Sequence, residues 1–270
     1  MVLHTARQQK LNQIRALLLA AGVGTRLLPL TRNWPKCLMP IARRPLLEHW
    51  LCILRKSGIK DVLVNIHHHR HAVELFLSRP QFDGSVSRSY EPKLLGTAGT
   101  VLRNIEFLKD HVVLLIHADN WCQCNFSNYL DFHLNHRPPN TLITMMTFRT
   151  NRPSECGIVT LNRENVVTGF YEKVGEPPGN LANGAVYLLE PEVIDWISKR
   201  PFVVDFSTDV LPNFLGLTAT WENRDIHRDI GVRDALIEAQ IDPHPEFCWP
   251  EVDEWQKAFQ ENPIHAQLNN

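Results

Sequence analysis

The segment LLLAAGVGTRLLPLTRNWPK, residues 17–36, changes within a few positions from an apolar run to glycines and then to cations. Residues 15–20 are almost entirely apolar, which is typical of a strand that is buried on both faces. Gly22 and Gly24 follow, and glycines at such a strand end let backbone N–H groups come close to an anion. The segment therefore predicts a phosphate-binding turn after a buried strand.

The side chains of this turn match neither of the two common nucleotide-binding loops. A dinucleotide fingerprint needs a third glycine where Leu27 stands, and no Walker A run of G-x-x-x-x-G-K-[ST] occurs. Thr25 offers a hydroxyl, Arg26 offers a planar charged fork suited to phosphate, and Lys36 offers a second cation. For a glycine pair alone, a strand-to-helix turn with two solvated cations is the better interpretation, so the decision depends on the longer string.

Apolar runs and helical spacing alternate along the first 150 residues, and shorter strands follow. Such alternation predicts crossover connections, and hence an α/β fold with a mainly parallel, Rossmann-like central sheet flanked by helices and a smaller sub-region in the second half. Predicted strands are 15–20, 61–66, 111–116, 141–148, 157–161, 166–172 and 184–189. Predicted helices are 45–57, 97–107, 126–136, 191–198, 207–215 and 232–240.

The composition argues against several classes of protein. The 270 residues carry 28 basic and 29 acidic side chains, a net charge of −1, which gives no broad field for nucleic acid. No apolar run approaches the roughly 20 residues that span a bilayer, and the polar first 15 residues lack the apolar core of a signal peptide. We therefore expect a cytoplasmic protein without a nucleic-acid or membrane partner.

The six cysteines are scattered along the chain, and none forms a C-x-x-C pair. This spacing is typical of reduced thiols in a cytosolic protein rather than of a disulfide framework or a zinc site. We expect all six to be reduced. They are Cys37, Cys52, Cys122, Cys124, Cys156 and Cys248.

The chain divides by composition into a leader (1–13), a main domain (14–240) and a tail (241–270). The tail is rich in Pro, Glu, His and Trp and is too short for a separate domain. Three arrangements of the tail stay open: packing on the body, packing on a second subunit, or loose order.

The longer string LAAGVGTRLLPLTRNWPKCLMPIARRPLLEH, residues 19–49, resembles the N-terminal signature of the sugar-1-phosphate nucleotidyltransferases. The signature is long and therefore far more specific than a glycine pair, and the resemblance extends over about residues 14–240. It implies a glycosyltransferase-A-like sheet whose first loop wraps a nucleotide triphosphate, with Arg26 and Lys36 as catalytic contacts to its phosphates. The implied nucleotide-binding residues of this loop are Leu19, Ala20, Ala21, Gly22, Gly24 and Thr25.

Two carboxylates far apart in sequence are candidates for a metal site. Asp119, in LLIHADN (114–120), follows a predicted buried strand, and Asp229, in HRDIGV (227–232), precedes a predicted helix. Each could equally cap the next element. The resemblance implies that both hold the catalytic Mg²⁺, which prefers few carboxylates together with phosphate oxygens. Val232 and Arg233 differ from the Thr-Pro often found in the family at those positions.

The segment YEPKLLGTAGTV, residues 90–101, resembles the part of the family that contacts the base. Glu91 stands where the family has Glu or Gln, and a carboxylate only accepts hydrogen bonds. Guanine offers two adjacent donors, whereas uracil and thymine offer one between two carbonyls, so Glu91 favours GTP. Gly96, Thr97 and Ala98 are the other implied nucleotide contacts, and a plain loop before a helix is the alternative.

The segment GFYEKVGEPPGNLANGAVYLL, residues 169–189, resembles the region that binds the sugar phosphate. The implied roles are contacts from Glu172 to sugar hydroxyls and from Lys173, as a catalytic residue, to the 1-phosphate. Asn120, Asn183 and Gly184 are further implied contacts to the sugar phosphate. Taken alone, the Glu-Lys pair would be an exposed strand end. Asp209 matches a family Asp, but we expect it to shape or cap its helix.

The motif NIHHHRH, residues 65–71, invites a metal interpretation. Consecutive histidines after a strand point in different directions and rarely converge on one ion. We therefore expect a polar loop, with one histidine at most near the ligand.

The resemblance implies the reaction NTP + sugar 1-phosphate → NDP-sugar + pyrophosphate, with Mg²⁺ as cofactor. We expect GTP and a mannose or manno-heptose 1-phosphate as substrates. The alternatives are a uridylyl-, thymidylyl- or cytidylyltransferase, or a non-catalytic regulatory subunit that binds nucleotide sugars. Assembly into a homo-oligomer is left open, and the length leads us to expect no left-handed β-helix domain.

Overall fold

A computed structural model of the chain describes residues 11, 13–249 and 252–268 and divides them into two compact units. Unit 1 comprises the residues up to Leu17, Leu95–Ile116 and Cys124–Asp225. Unit 2 comprises Leu18–Leu94, His117–Gln123 and the residues from Ile226 onward. Most of the predicted leader lies outside the described residues.

Strands and helices alternate along the described part of the chain. The strands are β1 (Ile14–Leu19), β2 (Pro40–Ile41), β3 (Arg44–Pro45), β4 (Asp61–Ile66), β5 (Val86–Tyr90), β6 (Val112–His117), β7 (Asn120–Gln123), β8 (Ile143–Arg149), β9 (Gly157–Leu161), β10 (Val167–Glu172), β11 (Leu181–Leu189), β12 (Thr218–Glu222) and β13 (Ile226–Asp229). The α-helices are α1 (Leu46–Lys56), α2 (Arg70–Leu77), α3 (Thr97–Arg103), α4 (Ile105–Leu108), α5 (Phe126–Asp131), α6 (Pro191–Ser198), α7 (Arg233–Ile241), α8 (Glu254–Gln260) and α9 (Ile264–Leu268). Helical turns of other pitch occur at Thr25–Leu27, Leu30–Arg32, Lys36–Leu38, Pro80–Phe82, Phe132–His136, Pro153–Glu155, Phe206–Val210 and Leu211–Phe214.

In unit 1, β11 is the strand around which the sheet is organised. It pairs antiparallel with β6, β8 and β9, and its fully buried Leu188 lies opposite Leu114 of β6. β12 pairs parallel with β8, β10 pairs antiparallel with β9, and the first residues of β1 lie beside β6. Each antiparallel pair of unit 1 includes at least one strand after residue 149, where the sequence predicts shorter strands.

In unit 2, β4 and β5 form a parallel pair, and the last residues of β1 lie beside β4. A parallel pair needs a crossover, which α2 supplies. α1 buries one face, including Leu47, Trp50 and Leu54, and ends before Gly58, whose φ of 81° suits a helix stop. This alternation confirms the predicted α/β class. None of the helices in the described ranges is both long and apolar enough to cross a bilayer.

The described residues of the tail pack within unit 2, the first of the three arrangements considered from the sequence. The Asp253 carboxylate accepts from Arg79 Nε at 2.7 Å, and the Trp255 ring meets the Phe76 ring edge-on with centroids 5.0 Å apart. Gln256 is fully buried and donates to the Arg43 carbonyl at 2.9 Å. The tail is therefore part of the core of unit 2.

The prediction that all cysteines are reduced is wrong for one pair. Cys52 of α1 and Cys248 of the tail form a disulfide, with Cα atoms 5.5 Å apart and a sequence separation of 196. The spacing rule fails here because the pairing depends on where the tail packs, which spacing does not encode. The four other cysteines, Cys37, Cys122, Cys124 and Cys156, form no disulfide within the described residues, as predicted.

Candidate active site

The glycine turn after β1 has a shape that excludes a Cβ at its centre. Gly24 has a left-handed φ of 69°, and a Cβ there would lie 2.8 Å from Thr31 Cγ2 and 3.2 Å from Lys36 Cβ. The Thr31 hydroxyl donates to the Gly24 carbonyl at 2.8 Å. Gly22 and Thr25 are exposed on the same turn. The turn is therefore held in a fixed shape while its outer side stays open to a ligand.

The residues that lead into this turn are buried and form its base. Leu19, Ala20 and Ala21 are each less than one-tenth exposed. The Ala118 N–H donates to the Leu19 carbonyl at 3.0 Å, and the Ala20 N–H donates to Asn65 Oδ1 at 2.6 Å. These bonds fix where β1 ends and the turn begins.

Lys36 lies between the two carboxylates predicted to hold a metal. Its Nζ donates to Asp119 Oδ2 at 2.7 Å and to Asp229 Oδ1 at 3.2 Å, and its side chain is 5% exposed. Burial acts to lower the pKa of Lys36, but the two carboxylates outweigh burial and the pKa is raised. The ammonium therefore stays charged at neutral pH.

Arg26 completes a group of four charged side chains. Its Nη2 donates to Asp229 Oδ2 at 2.8 Å, and its side chain is 60% exposed. Burial acts to raise the pKa of the Asp229 carboxyl, but Lys36 and Arg26 together lower it below its usual value. Gly231 makes room for this contact, because a Cβ there would lie 2.6 Å from Arg26 Nη2. We call Arg26, Lys36, Asp119 and Asp229 the charged cluster.

A short strand pair brings the two carboxylates together. Asp119 lies between β6 and β7, and β7 pairs antiparallel with β13 so that Asn120 faces Asp229. Asn120 is buried, and its carbonyl accepts from Trp50 Nε1 at 2.8 Å. The register of this pair places a carboxylate from residue 229 beside one from residue 119.

The donor set of the cluster fits a magnesium ion. Two carboxylates already converge on one cationic group, and Mg²⁺ takes oxygen ligands from few side chains together with phosphate and water. In the part of the chain that the structure describes, no group of three or more His, Cys, Asp or Glu side chains is arranged to hold a metal. The residues therefore fit a two-carboxylate site rather than a closed site made by protein alone.

Glu91, the predicted base contact, is a buried carboxylate at the end of β5. It is 1% exposed, and its Oε1 accepts from Asn65 Nδ2 at 3.0 Å. Asn65 also accepts from Ala20, so one amide contacts both the base of the glycine turn and the predicted base contact. Asn65 is not among the residues that the sequence predicts to contact the nucleotide.

The predicted nucleotide contacts Gly96, Thr97 and Ala98 lie in unit 1, at the start of α3. Gly96 has a φ of 77°, and a Cβ there would lie 2.6 Å from Val204 Cγ1. The Ala98 N–H donates to the Val204 carbonyl at 2.9 Å, and the Thr97 hydroxyl accepts from the Phe206 N–H at 2.6 Å. This turn is thus held by the segment before the helical turn at Phe206–Val210.

Asp209 lies inside that helical turn and shapes its start, one of the two predicted roles, whereas the cap is Asp205, whose carboxylate accepts from the N–H groups of Ser207 and Thr208. Asp209 Oδ2 accepts from the N–H groups of Val204 and Asp205 at 2.8 and 3.0 Å. These backbone hydrogen bonds lower the pKa of the Asp209 carboxyl.

The predicted sugar-phosphate contacts Glu172 and Lys173 end β10 in unit 1. Lys173 has a positive φ of 49° and is 65% exposed, and its Nζ lies 3.3 Å from Glu172 Oε1. Glu172 pairs with Gly157 of β9, where a Cβ would lie 2.5 Å from Glu172 Oε2. The strand pair orients the carboxylate and leaves the lysine in solvent.

Asn183 and Gly184 lie at an irregularity of β11. The register of β11 on β8 shifts between Asn183 and Tyr187, and Ala185 has a positive φ of 52°. Asn183 Nδ2 donates to the Tyr187 hydroxyl at 2.6 Å, and burial raises the pKa of that hydroxyl. The amide of Asn183 is therefore oriented by a buried tyrosine.

Comparison with known proteins identifies the family. Residues 15–244 match the Nucleotidyl transferase family. The chain belongs to this family. A mannose-1-phosphate guanyltransferase of Candida albicans is 31% identical over 201 residues, which are 72% of this chain and 55% of that protein. A mannose-1-phosphate guanylyltransferase catalytic subunit beta of Drosophila melanogaster is 29% identical over 198 residues, 72% of this chain and 53% of that protein.

The chain thus spans about half the length of the curated relatives it matches. A solved structure described as a glucose-1-phosphate thymidylyltransferase of Bacillus anthracis, in complex with a sucrose, has the same fold. Its TM-score is 0.76, with 22% identity over 86% of this chain and 98% of that one. This nucleotidyl transferase therefore shares with it the mainly parallel central sheet flanked by helices that the sequence predicts.

Proposed function

We propose that this nucleotidyl transferase joins an NTP to a sugar 1-phosphate and releases pyrophosphate. The observation that carries the proposal is the charged cluster, in which Lys36 Nζ lies 2.7 and 3.2 Å from two carboxylates beside the glycine turn. Two cationic side chains at an open glycine turn suit a polyphosphate, and the two carboxylates beside them suit its metal ion. Membership of the family and the names of the relatives support the same reaction.

The reaction needs no nucleophilic side chain. An oxygen of the sugar phosphate forms a bond to the α-phosphorus, and the bond from that phosphorus to the bridging oxygen breaks, so that pyrophosphate leaves with the electron pair. The attacking oxygen is already anionic, and catalysis is therefore alignment and charge stabilisation. Burial and the charge of Asp119 raise the pKa of the nearby Cys37 to about 12, so this thiol stays protonated.

The side chains of the cluster divide the work in this proposal. Arg26 and Lys36 hold phosphate oxygens of the NTP and stabilise the charge on the leaving pyrophosphate. Asp119 and Asp229 would hold Mg²⁺, which when bound neutralises phosphate charge. Lys173 holds the 1-phosphate of the sugar.

The remaining contacts concern the base and the sugar. Glu91 accepts hydrogen bonds only, which suits the adjacent N1–H and amino group of guanine. Both reported relatives are guanylyltransferases by name, so we propose GTP and a manno-configured sugar 1-phosphate. The other proposed sugar-phosphate contacts are Asn120, Glu172, Asn183 and Gly184.

A substrate panel tests the proposal. Pyrophosphate release is measured with Mg²⁺ for GTP, UTP, dTTP, CTP and ATP, each with mannose, manno-heptose and glucose 1-phosphates. We expect GTP with a manno-configured sugar to have the highest kcat/KM. Another favoured NTP would overturn the assignment of the base, and no turnover with any pair would overturn the proposed activity.

A further inference from the structure

The last two residues of β4 and the residue after it hold Glu91 through three separate contacts. Asn65 Nδ2 donates to Glu91 Oε1 at 3.0 Å, and the Glu91 N–H donates to the Ile66 carbonyl at 2.8 Å. His67 Nδ1 lies 2.8 Å from the Glu91 carbonyl, and because a carbonyl only accepts, that nitrogen carries the hydrogen. Three consecutive residues, 65 to 67, thus fix the carboxylate, the N–H and the carbonyl of the buried Glu91.

The same segment also holds the glycine turn. Asn65 is 3% exposed, and its Oδ1 accepts from the Ala20 N–H at 2.6 Å. An amide combines an acceptor and a donor in one planar group, and neither Asp nor Leu offers both at that position. Asn65 therefore joins the residue where the glycine turn begins to the carboxylate proposed to contact the base.

The next histidines contact the far side of that turn. His69 Nε2 lies 3.0 Å from the Thr31 carbonyl, and His68 Nε2 lies 3.4 Å from it. Thr31 in turn donates to the Gly24 carbonyl. The motif predicted from the sequence as a polar loop therefore contacts the turn at two points and Glu91 at a third.

We propose that Asn65 and His67 are positioning residues that hold Glu91 for recognition of the base and, through Asn65, fix the glycine turn in register with it. This inference rests on the proposed function, because it assigns the base preference to the way Glu91 is held. A buried carboxylate that turned or withdrew would lose its selectivity for a base with two adjacent donors. The positioning contacts should therefore act on nucleotide selectivity more than on the chemical step.

Two pairs of variants separate these contacts. His67→Leu removes the donor to the Glu91 carbonyl, whereas His67→Asn returns an N–H at the same distance from the backbone. Asn65→Asp keeps an acceptor for the Ala20 N–H but replaces the amide donor with a second carboxylate facing Glu91, and Asn65→Leu loses both hydrogen bonds. His71→Leu, an exposed histidine of the same motif, is the matched control.

Steady-state kinetics with GTP and UTP provide the first readout. We expect His67→Leu to raise KM for GTP about fivefold, the magnitude of one lost hydrogen bond, and Asn65→Asp to raise it at least about tenfold, because a second buried carboxylate then faces Glu91. The preference for GTP over UTP should fall by the same factors, with kcat changed less than twofold and His67→Asn near wild type. An equal loss of kcat for both nucleotides, or the same loss in His71→Leu, would overturn the inference.

Amide hydrogen exchange at Ala20 provides a second readout that needs no activity. We expect exchange of this N–H to accelerate at least about tenfold in Asn65→Leu and to stay near wild type in Asn65→Asp and His67→Leu. Unchanged exchange in Asn65→Leu would overturn the positioning of the turn. If the wild-type chain turns over no substrate pair, the proposed function is refuted. If the wild type is active and the Asn65 and His67 variants keep its KM values and its nucleotide preference, only the positioning inference is refuted.

Discussion

The lysine of the charged cluster in unit 2, Lys36, is buried, whereas the lysine of the Glu172–Lys173 pair in unit 1 is exposed. In the cluster, each charged group lies within 3.2 Å of an opposite charge, and the Lys36 side chain is 5% exposed. In the pair, Lys173 is 65% exposed and its ammonium lies 3.3 Å from Glu172. Both sites were proposed from sequence to bind phosphate, yet their environments differ.

This difference in exposure determines whether each lysine side chain is ordered before a ligand binds. Charges that are partly shielded from water interact strongly and are poorly screened by salt, whereas an exposed pair contributes about 0–1 kcal/mol. Lys36 therefore has one defined position before a nucleotide arrives, whereas Lys173 keeps the freedom of a solvated side chain. We infer that the proposed nucleotide site is preorganised, whereas Lys173 becomes ordered only when its proposed ligand, the sugar phosphate, binds.

The largest expected effect belongs to Asp119→Asn. The amide keeps the size of the side chain but removes one of two carboxylates, and loss of a charged group that acts in the transition state lowers kcat by about a thousandfold. Circular dichroism should show an unchanged fold. Asp61→Asn, at an exposed position of β4, is the control. Turnover near the wild-type rate would refute a metal role for Asp119.

Lys36→Met tests the preorganised side of the comparison directly. We expect kcat/KM to fall about a hundredfold, and the free energy of unfolding to fall by about 1–2 kcal/mol because two neighbouring carboxylates lose a shared cation. The carboxylates are a third to a half exposed, which limits this loss. Thermal unfolding with and without Mg²⁺ measures it.

The metal dependence of that variant sharpens the test. Without the ammonium, the two carboxylates should be stabilised more by a divalent cation than they are in the wild type. We expect Mg²⁺ to raise the Tm of Lys36→Met more than that of the wild type. An equal shift in both proteins would contradict a shared cation site.

Lys173→Met should have a smaller effect, confined to binding. We expect KM for the sugar 1-phosphate to rise about tenfold, and the free energy of unfolding to change by less than about 0.5 kcal/mol because the pair is exposed. Lys199→Met is a matched control, since Lys199 is 66% exposed and also pairs with a carboxylate in unit 1. A marked loss of stability in Lys173→Met alone would break the contrast between the two regions.

The parts of the fold that the sequence predicts well are those that local burial determines. The strand 61–66 and the helix 191–198 have the predicted bounds, because their apolar patterns fit one element each. The helix Arg70–Leu77 was missed, because the histidines before it mask the start of its apolar spacing. The predicted helix 126–136 continues as a π-helical turn after Asp131, a change of pitch that apolar spacing does not reveal.

In the candidate site, sequence indicates the residue types but not how they meet. Asp119 and Asp229 were predicted separately, and only the register of β7 on β13 brings them to one lysine. That register joins strands about 100 residues apart, and four-residue strands carry too little pattern to encode it. Asn65 was missed for a similar reason, since a polar residue at a strand end has many ordinary explanations.

Asp242→Asn should have the smallest effect on activity. It tests an ion pair that lies outside the charged cluster. Asp242 accepts from Arg228 Nε and Nη2, both at 2.9 Å, and Arg228 adjoins Asp229 on β13. The Arg228 hydrogen bonds hold the pKa of Asp242 below its usual value. We expect the variant to lose about 1–2 kcal/mol of stability at pH 7 and only a few-fold in kcat.

The pH dependence of that loss follows from the direction of the shift. A carboxyl whose pKa is lower in the folded chain stabilises it fully above the unfolded pKa of about 3.9, and this contribution disappears as pH falls through the lowered value. Urea unfolding should therefore show a wild-type advantage over Asp242→Asn at pH 7 that shrinks steadily below about pH 4. Asp234→Asn, at an exposed position of α7, the helix that ends just before Asp242, should show no such trend. A difference between wild type and Asp242→Asn that is constant with pH would mean that packing, and not the ion pair with Arg228, holds β13 in place.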